Sequence, residues 1–578
     1  MTKEKPAQST RPLRAIGLNH GEINSSAVLV VDGDVICGAP EERFNRNKKT
    51  KVFPRRALNY ALQDQNLALE DIDFVAQAWN PGAGWAKYNP LISANRVKRE
   101  DYFYSIPDHL YGFADRQPNE WVKMEFGGTL PPTYFVQHHR CHIANAIFLS
   151  PFAEAAFLTA DWRGEIECLS KGYARGNSFE LLGTQEVPNS LGMFYATYTQ
   201  MLGYQADNDE WKVMALSAYQ VDCEEYRRRI LSTVRLLPGG AFELDTSFYQ
   251  GAILEKPKLY TQRLFSLLDG EENSHQNEAW VIKVAKAMQL VAEEIAVHVL
   301  TDLHERTGSE NLVVSGGFFM NSVFNGKITR LTPFKNVHIS YAPDDVGAGI
   351  GAALYVTHCI LGRPRVPGYR SSSIGPQFNQ DQILEALKRR RIKYEIVANA
   401  PQKVAQLLNE GRVVGLFQGR MEFGDRALGN RSILGDPRNA AMKDTINGMI
   451  KYREGYRPFA PAALFERVAE VFDVDPGYEC NYMEKVVQVR EEYRKKIPAV
   501  THFDGSGRLQ TVQRDHNPYF YSVIQEFEKI TGIPVVLNTS FNINAEPIVL
   551  SPDDAISTFF NSGLDCLMME DVLLRKEA

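Results

Sequence analysis

His138 and His142 lie four residues apart in FVQHHRCHIANAIFL, and Asp161 closes the apolar run AAFLTAD. Positions i and i+4 share one face of a helix, so two imidazoles there can approach one ion. A carboxylate from a neighbouring strand end is a plausible third ligand. Two His and a carboxylate suit Fe(II) and other divalent first-row metals, with positions left open for substrate. The plain alternative is a pair that only packs or caps a helix.

A second concentration of chemistry lies in residues 411–461, where Arg420, Arg426, Arg431, Arg453 and Arg457 accompany glycines and few acids. The planar guanidinium fork matches phosphate and carboxylate. The alternative is a solvated basic face. Arg426 sits among apolar residues and glycines in FGDRALGNRSILG, and Arg457 beside proline and aromatics in YRPFAP. Arginines in such settings need anionic partners. In VVLNTSFN, Asn538, Thr539 and Ser540 follow an apolar strand, where they can bind a ligand or cap a turn.

These groups need elements to hold them. RAIGLNHG reads as a strand into a glycine turn, and SSAVLVVDGDVICGAPEERF as two strands about an Asp32-Gly33 turn. PRRALNYALQDQNL then reads as a helix. The same order returns near residue 155: EAAFLTADWRGE, IECLSKGYARGN and SFELLGTQEV are a strand, a strand with turn, and a further strand. Such duplicated halves describe the actin/hexokinase/Hsp70 architecture, which holds a nucleotide between its lobes. Apolar spacing predicts a long helix over 277–308. Two strand–Gly turn–helix units follow, NLVVSGGFFMNSVFNGKI and VHISYAPDDVGAGIGAALYVTH, and such turns offer backbone N–H groups to phosphate. Residues 361–378, rich in Pro, Gly and Ser, mark a domain boundary, with a second α/β domain beyond it. Residues 1–13 read as a disordered arm.

The 578 residues are too many for one core. A formal net charge of −6 argues against a sequence-independent grip on nucleic acid. The seven cysteines contain no C-x-x-C pair and read as reduced thiols. There is no apolar signal core, and no stretch reaches the ~18 apolar residues of a membrane span. A soluble, cytoplasmic protein is expected.

In their order along nearly the whole chain, VVDGDVICGAPEERF, HHRCHIANAIF, DWRGEIECLS, VSGGFFMNSVFNGKI, DDVGAGIGAAL, FGDRALGNRSILG, YRPFAPA and LNTSFNINAEPIV resemble the NodU/CmcH family of carbamoyltransferases. The resemblance implies an α/β chain with a two-lobed actin-like (ASKHA, duplicated RNase H-like) domain over 14–366 and a YrdC-like α/β domain over 374–578. It implies that ATP, with Mg, and carbamoyl phosphate form carbamoyl-adenylate in the second domain. The carbamoyl group then passes in the first domain to a hydroxyl of a small molecule.

By the same resemblance, His138, His142, Asp161 and Asp345 are the iron ligands, Asp345 being preferred to Asp344 for its spacing to GIGAA. Gly316, Gly317, Asn321 and Asn325 match the nucleotide turn. Arg426, Arg457, Arg508, Asn538 and Ser540 match the carbamoyl phosphate site, Lys48 a basic residue of the nucleotide or carbamoyl region, and Lys212 a segment of the active cleft. Three departures stand out. Ile23 replaces a frequent His, so that His20 or His139 must take its place as proton acceptor or the metal must suffice. Trp162 replaces a small residue and narrows the acceptor pocket. Asn544 and Ala545 alter a loop expected at the adenylate.

The rival readings are a tRNA threonylcarbamoyl-type enzyme, an actin-fold small-molecule kinase and a non-catalytic ATP-binding regulator. The charge opposes the first, and the His pair and Arg-rich region have no job in the second. Asp207, Asp209 and Glu210 in YQADNDEWK can attract a cationic acceptor or form a solvated loop. A homodimer is expected from the class alone.

Overall fold

The computed structural model describes residues 11–21, 24–80, 83, 131–251, 256–271, 273–365, 368–452 and 454–576. Ile23, Arg453 and residues 1–10 of the expected arm lie outside them.

Strands β1 (Arg14–Asn19), β2 (Ser26–Val31) and β3 (Asp34–Pro40) form an antiparallel meander. Asp32 and Gly33 turn it with φ of 49° and 90°, the positive pair that a two-residue hairpin requires. Helix α1 (Arg55–Asp64) follows, then β4 (Phe74–Gln77) and β5 (Thr133–Phe135), both parallel to β1. The sheet order is β3-β2-β1-β4-β5.

Helix α2 (His138–Phe148) leads into the second sheet. Here β6 (Glu154–Ala160), β7 (Glu167–Arg175) and β8 (Ser178–Glu186) form another antiparallel meander. Helices α3 (Leu191–Met201), α4 (Glu210–Leu216) and α5 (Glu278–Thr307) precede β11 (Asn311–Ser315) and β12 (Asn336–Ile339), which run parallel to β6. A small hairpin, β9 (Val234–Leu237) and β10 (Ala241–Leu244), stands between α4 and α5. The order β12-β11-β6-β7-β8 reproduces that of the first sheet, strand for strand. This repeat of one meander and two parallel strands is the duplicated RNase H-like, two-lobed actin-like fold.

Between the sheets lie α2 and α6 (Ala348–Leu354), within an apolar layer that joins Val28 and Phe74 of one sheet to Phe157 and Val313 of the other. Ten of the eleven residues of α2 are buried, so the helix shows no polar face. Glycines let α6 come this close. A Cβ at Gly17 would lie 2.0 Å from Gly349 O, and one at Gly351 1.9 Å from Cys141 O on α2. Buried Asn145 pins the layer further: its Nδ2 donates to Gly347 O (3.0 Å) and its Oδ1 accepts from Ser340 Oγ (2.6 Å). The turn before α6, which carries Asp345, is thereby held against α2.

Beyond residue 379 the chain forms one nine-stranded mixed sheet. Its strands are β13 (Glu395–Ile396), β14 (Val414–Phe417), β15 (Arg431–Gly435), β16 (Ala460–Leu464), β17 (Lys485–Gln488), β18 (Ser506–Val512), β19 (Val535–Ser540), β20 (Cys566–Met569) and β21 (Val572–Arg575). They are ordered β13-β21-β20-β14-β15-β19-β16-β18-β17. Helices α7 (Ala400–Asn409) and α8 (Pro518–Thr531) pack together over its core. Backbone acceptors tie this sheet to the lobes: Arg43 donates to Gly424 O, and Arg46 to Pro547 O and Ile548 O. Among the described residues no helix is long and apolar enough to cross a membrane.

Gly351→Ala should force α6 off α2. Overpacking of this kind costs about 1–3 kcal/mol. The expected result is a Tm several degrees lower together with weakened metal binding, measured by calorimetry and metal titration on the same preparation.

Candidate active site

The first turn of α2 has no side-chain cap of its own. Glu165, 4% exposed, takes that role from the β6–β7 connection. Its carboxylate accepts from His138 N at 3.0 and 3.1 Å and from Asn80 N at 2.6 Å. An anion there also meets the positive end of the helix dipole. This fixes the turn that carries both imidazoles.

The imidazoles converge through Nε2. His138 Nε2 and His142 Nε2 are 2.9 Å apart. Asp161 Oδ2 lies 3.1 and 3.2 Å from them, and Asp345 Oδ1 3.2 and 3.4 Å. Their outward nitrogens have other partners: His138 Nδ1 faces Ala78 O at 3.4 Å, and His142 Nδ1 faces Ser315 Oγ at 3.3 Å, which itself donates to Pro343 O. This arrangement favours the Nδ1–H tautomer on both rings and turns both Nε2 lone pairs to one point. Trp79 stacks on His138 with centroids 4.0 Å apart and fixes its plane. Asp161 is oriented in the same way: Oδ1 accepts from Trp162 N (2.8 Å) and Gly317 N (3.3 Å), leaving Oδ2 for the centre.

Four acceptors at one buried point repel one another unless a positive charge joins them. With the imidazoles instead protonated at Nε2, burial opposes charge on Asp161, but hydrogen bonds from His138 and His142 outweigh it and hold the carboxyl well below its usual range. Burial likewise opposes protonation of His138, and Asp345 and Asp161 outweigh it and raise its pKa. The four ligand atoms all lie within 4.8 Å of one another, the donor set and the spread of a divalent first-row metal site.

Asp161 and Asp345 form part of the wall of a cavity of about 960 Å³ that runs between the lobes and the nine-stranded sheet. Lys48, Arg426, Arg457, Arg508, Gly317, Asn321 and Ser540 line the same cavity. The expected metal and arginine sites therefore share one chamber. Arg457 stacks on Trp211 at 3.7 Å, faces Glu454 at 3.5 Å, and is pushed down to about 10 by burial. Burial also lowers Arg426 and Lys48, with Asp425 the leading opposing charge on each.

Other expected residues lie off this wall. Gly316, with φ of 100°, makes the turn, where a Cβ would meet Ala160 O at 2.2 Å. Asn325 gives its amide to Phe319 O and Glu484 O, and buried Asn538 gives its amide to Ala427 O and Gln510 Oε1. Both amide nitrogens are engaged within the protein, while each Oδ1 is buried without a hydrogen-bond partner among the described residues. Lys212 lies between Asp209 and Glu454, 3.3 Å from each. His139 is 2% exposed with Nδ1 on Thr159 Oγ1 at 2.8 Å, and burial together with His138 and His142 pushes its pKa well down. His20 is 5% exposed against the edge of Phe53. Neither His20 nor His139 is among the described residues that line this cavity. Even Asn321, on the wall, uses its Oδ1 to cap Phe324 N and its Nδ2 on Gln289.

Within the Arg-rich stretch, Arg420 pairs with Asp64 of α1, and fully buried Arg431 donates to Gln418 O, Gly419 O and Pro376 O over the ring of Phe417. Both are structural. The sequence reading passed over Lys49, Lys51, Lys443 and Lys451 on the wall. The run KKTK, residues 48–51, was the available signal for Lys49 and Lys51. Glu165 had none, since its role depends on the fold.

Comparison with known proteins gives this site its class. Residues 14–354 match the family described as Carbamoyltransferase N-terminus, and residues 405–576 match Carbamoyltransferase C-terminus. The chain belongs to the carbamoyltransferases of the NodU/CmcH type and is a carbamoyltransferase. An uncharacterized protein of Synechocystis sp. is 34% identical, covering 97% of each chain. Nodulation protein NolNO of Sinorhizobium fredii is 36% identical over 96% of this chain and 79% of its own. The 3'-hydroxymethylcephem-O-carbamoyltransferase of Amycolatopsis lactamdurans is 26% identical over 84% of this chain and 92% of its own. Component A of the Acidaminococcus fermentans (R)-2-hydroxyglutaryl-CoA dehydratase aligns at 12% identity over 60% of this chain and 99% of its own, with a TM-score of 0.33, which adds nothing to the strand order above.

Glu165→Gln should keep the fold and loosen α2 at its first turn. Loss of such an orienting partner typically costs 10–100-fold in metal affinity. Titration with Fe(II) or Zn(II) under anaerobic conditions should show a fall of about that size, and unchanged affinity would count against this role.

Proposed function

We propose that the protein is an ATP-dependent O-carbamoyltransferase acting on a hydroxyl of a small molecule. The observation that supports this best is the single cavity in which the His138–His142–Asp161–Asp345 cluster faces Lys48, Arg426, Arg457 and Arg508. The carbamoyl relatives and the resemblance to a YrdC-like second domain point the same way.

Carbamoyl phosphate alone is a weak donor to an alcohol. In the proposed sequence water hydrolyses it to carbamate and phosphate, and the carbamate oxygen attacks the α-phosphorus of ATP. Pyrophosphate leaves, and carbamoyl-adenylate, a mixed anhydride, remains. Arg426, Arg457 and Arg508 supply fixed donors for the charge on the transferring oxygens. Lowered pKa values on Arg426 and Arg457 mark cations that an incoming anion would stabilise. Lys48 adds a point charge on the side of the lobes. His138, His142, Asp161 and Asp345 would hold Fe(II) or a related ion, whose chemistry when bound is Lewis-acid polarisation of the carbamoyl carbonyl. Trp162 beside Asp161 shapes the space left for the acceptor.

The two ends of the cavity should separate by mutation. Arg426→Ala or Arg457→Ala should lower carbamoyl-phosphate-dependent pyrophosphate release by about 100-fold or more, as loss of a charge-stabilising donor does elsewhere, with bound metal retained. His138→Ala and His142→Ala should lose metal and carbamoylated product while pyrophosphate release persists. Equal loss of both half-reactions in a folded His variant would contradict this assignment.

A further inference from the structure

With His20 and His139 off the cavity wall, the acceptor O–H still needs a proton sink. We propose that the Asp207 carboxylate is the general base that receives the acceptor's proton, an assignment that rests on the carbamoyl-transfer reading above. Asp207 lies on the cavity wall, three residues before α4. Its backbone is held in the left-handed region at φ 64°, which aspartate tolerates better than most residues. Two charged neighbours hold that conformation through the backbone: Asp207 N–H donates to Glu210 Oε1 at 2.7 Å, and Lys49 Nζ donates to Asp207 O at 2.5 Å. Neither bonds the carboxylate. That group makes no hydrogen bond or ion pair with any described residue and is open to the cavity. An aspartate forced into αL with both charged neighbours engaged by its main chain is a device for presenting a bare carboxylate.

Its surroundings suit the task. Asp207 itself is exposed on the cavity wall, and the surrounding protein encloses that space. That enclosure is the main cause, with Glu210 next, of a carboxyl pushed up to about 7; Lys49 opposes the shift, and Asp161 and Asp345 add to it through space. A base works best when its pKa lies near the working pH. Asp425 and Glu546 also line the wall, Asp425 beside the cations Arg426 and Lys48, and two further acids are less free. Glu210 holds the Asp207 amide, and Asp344 accepts from Asn24 Nδ2 at 2.8 Å. In the step assigned to Asp207, the acceptor oxygen bonds to the carbamoyl carbon of the mixed anhydride. The bond from that carbon to the phosphate oxygen breaks, AMP leaves with the electron pair, and the hydroxyl proton moves to Asp207.

The test compares two nucleophiles. Labelled carbamoyl phosphate, ATP and Fe(II)-loaded enzyme are incubated with hydroxylamine, or with a panel of alcohols from glycerol to amino sugars, using the alcohol that wild type carbamoylates fastest. Hydroxylamine attacks without needing a base to remove a proton first. Asp207→Asn should lose ~100-fold or more with the alcohol, the low end of general-base contributions, and far less with hydroxylamine. The wild-type alcohol rate should rise with pH through about 7, where Asp207 deprotonates, and this limb should vanish in Asp207→Asn. Asp207→Glu should recover part of the alcohol rate. Equal losses with both nucleophiles, or none, would overturn the assignment alone. A wild type that carbamoylates no alcohol would overturn the hydroxyl-transfer reading, and the assignment with it.

Discussion

Two imidazole nitrogens 2.9 Å apart, each within 3.4 Å of two carboxylate oxygens, set the conditions for everything around them. Two imidazoles and two carboxylates gathered in a buried place need positive charge between them, from protons or a metal ion, and rigid surroundings. The fold supplies the rigidity. His138 and His142 come from a helix buried on nearly every face, Asp161 from the end of the central strand β6, and Asp345 from the turn that opens α6. Glycine contacts at Gly17 and Gly351 let the α6 turn come within reach. Glu165, Ala78 O, Ser315 and Gly317 N then fix the directions of His138, His142 and Asp161.

This centre faces a second set of fixed charges. Arg426 and Arg457 reach the cavity from the nine-stranded part of the chain, the first from a loop that Arg43 of the first lobe holds through Gly424 O. Because the arginines and the His/Asp cluster border one chamber, the anhydride of the proposed reaction would not have to enter bulk water between them. Water exclusion matters for such an intermediate, and it also strengthens each electrostatic contact within.

Much of this was legible in the sequence because it is periodic or local. The long helix over 277–308 appears as Glu278–Thr307, and the Asp32-Gly33 turn and the second meander lie where apolar runs and turn residues placed them. The repeated strand order was visible as topology without matching letters. The His pair was legible as spacing, whereas Asp345 depended on resemblance. What the sequence hid was direction. Asn325, Asn538 and Lys212 have the right chemistry, but their side chains are engaged by carbonyls or carboxylates within the protein. His139 sits beside two ligands and points to Thr159 instead. Arg431 looked like an anion binder, yet it is satisfied by backbone oxygens under an aromatic ring. Asp207 could be read as an acidic loop, but its freedom follows from a backbone conformation that no pattern of letters reports.

The most direct test is X-ray absorption on the Fe(II)-loaded protein. The account predicts a first shell containing two imidazole nitrogens and two carboxylate oxygens, with any remaining ligands light atoms from solvent or substrate. A shell without imidazole scattering, or one containing sulfur, would contradict it.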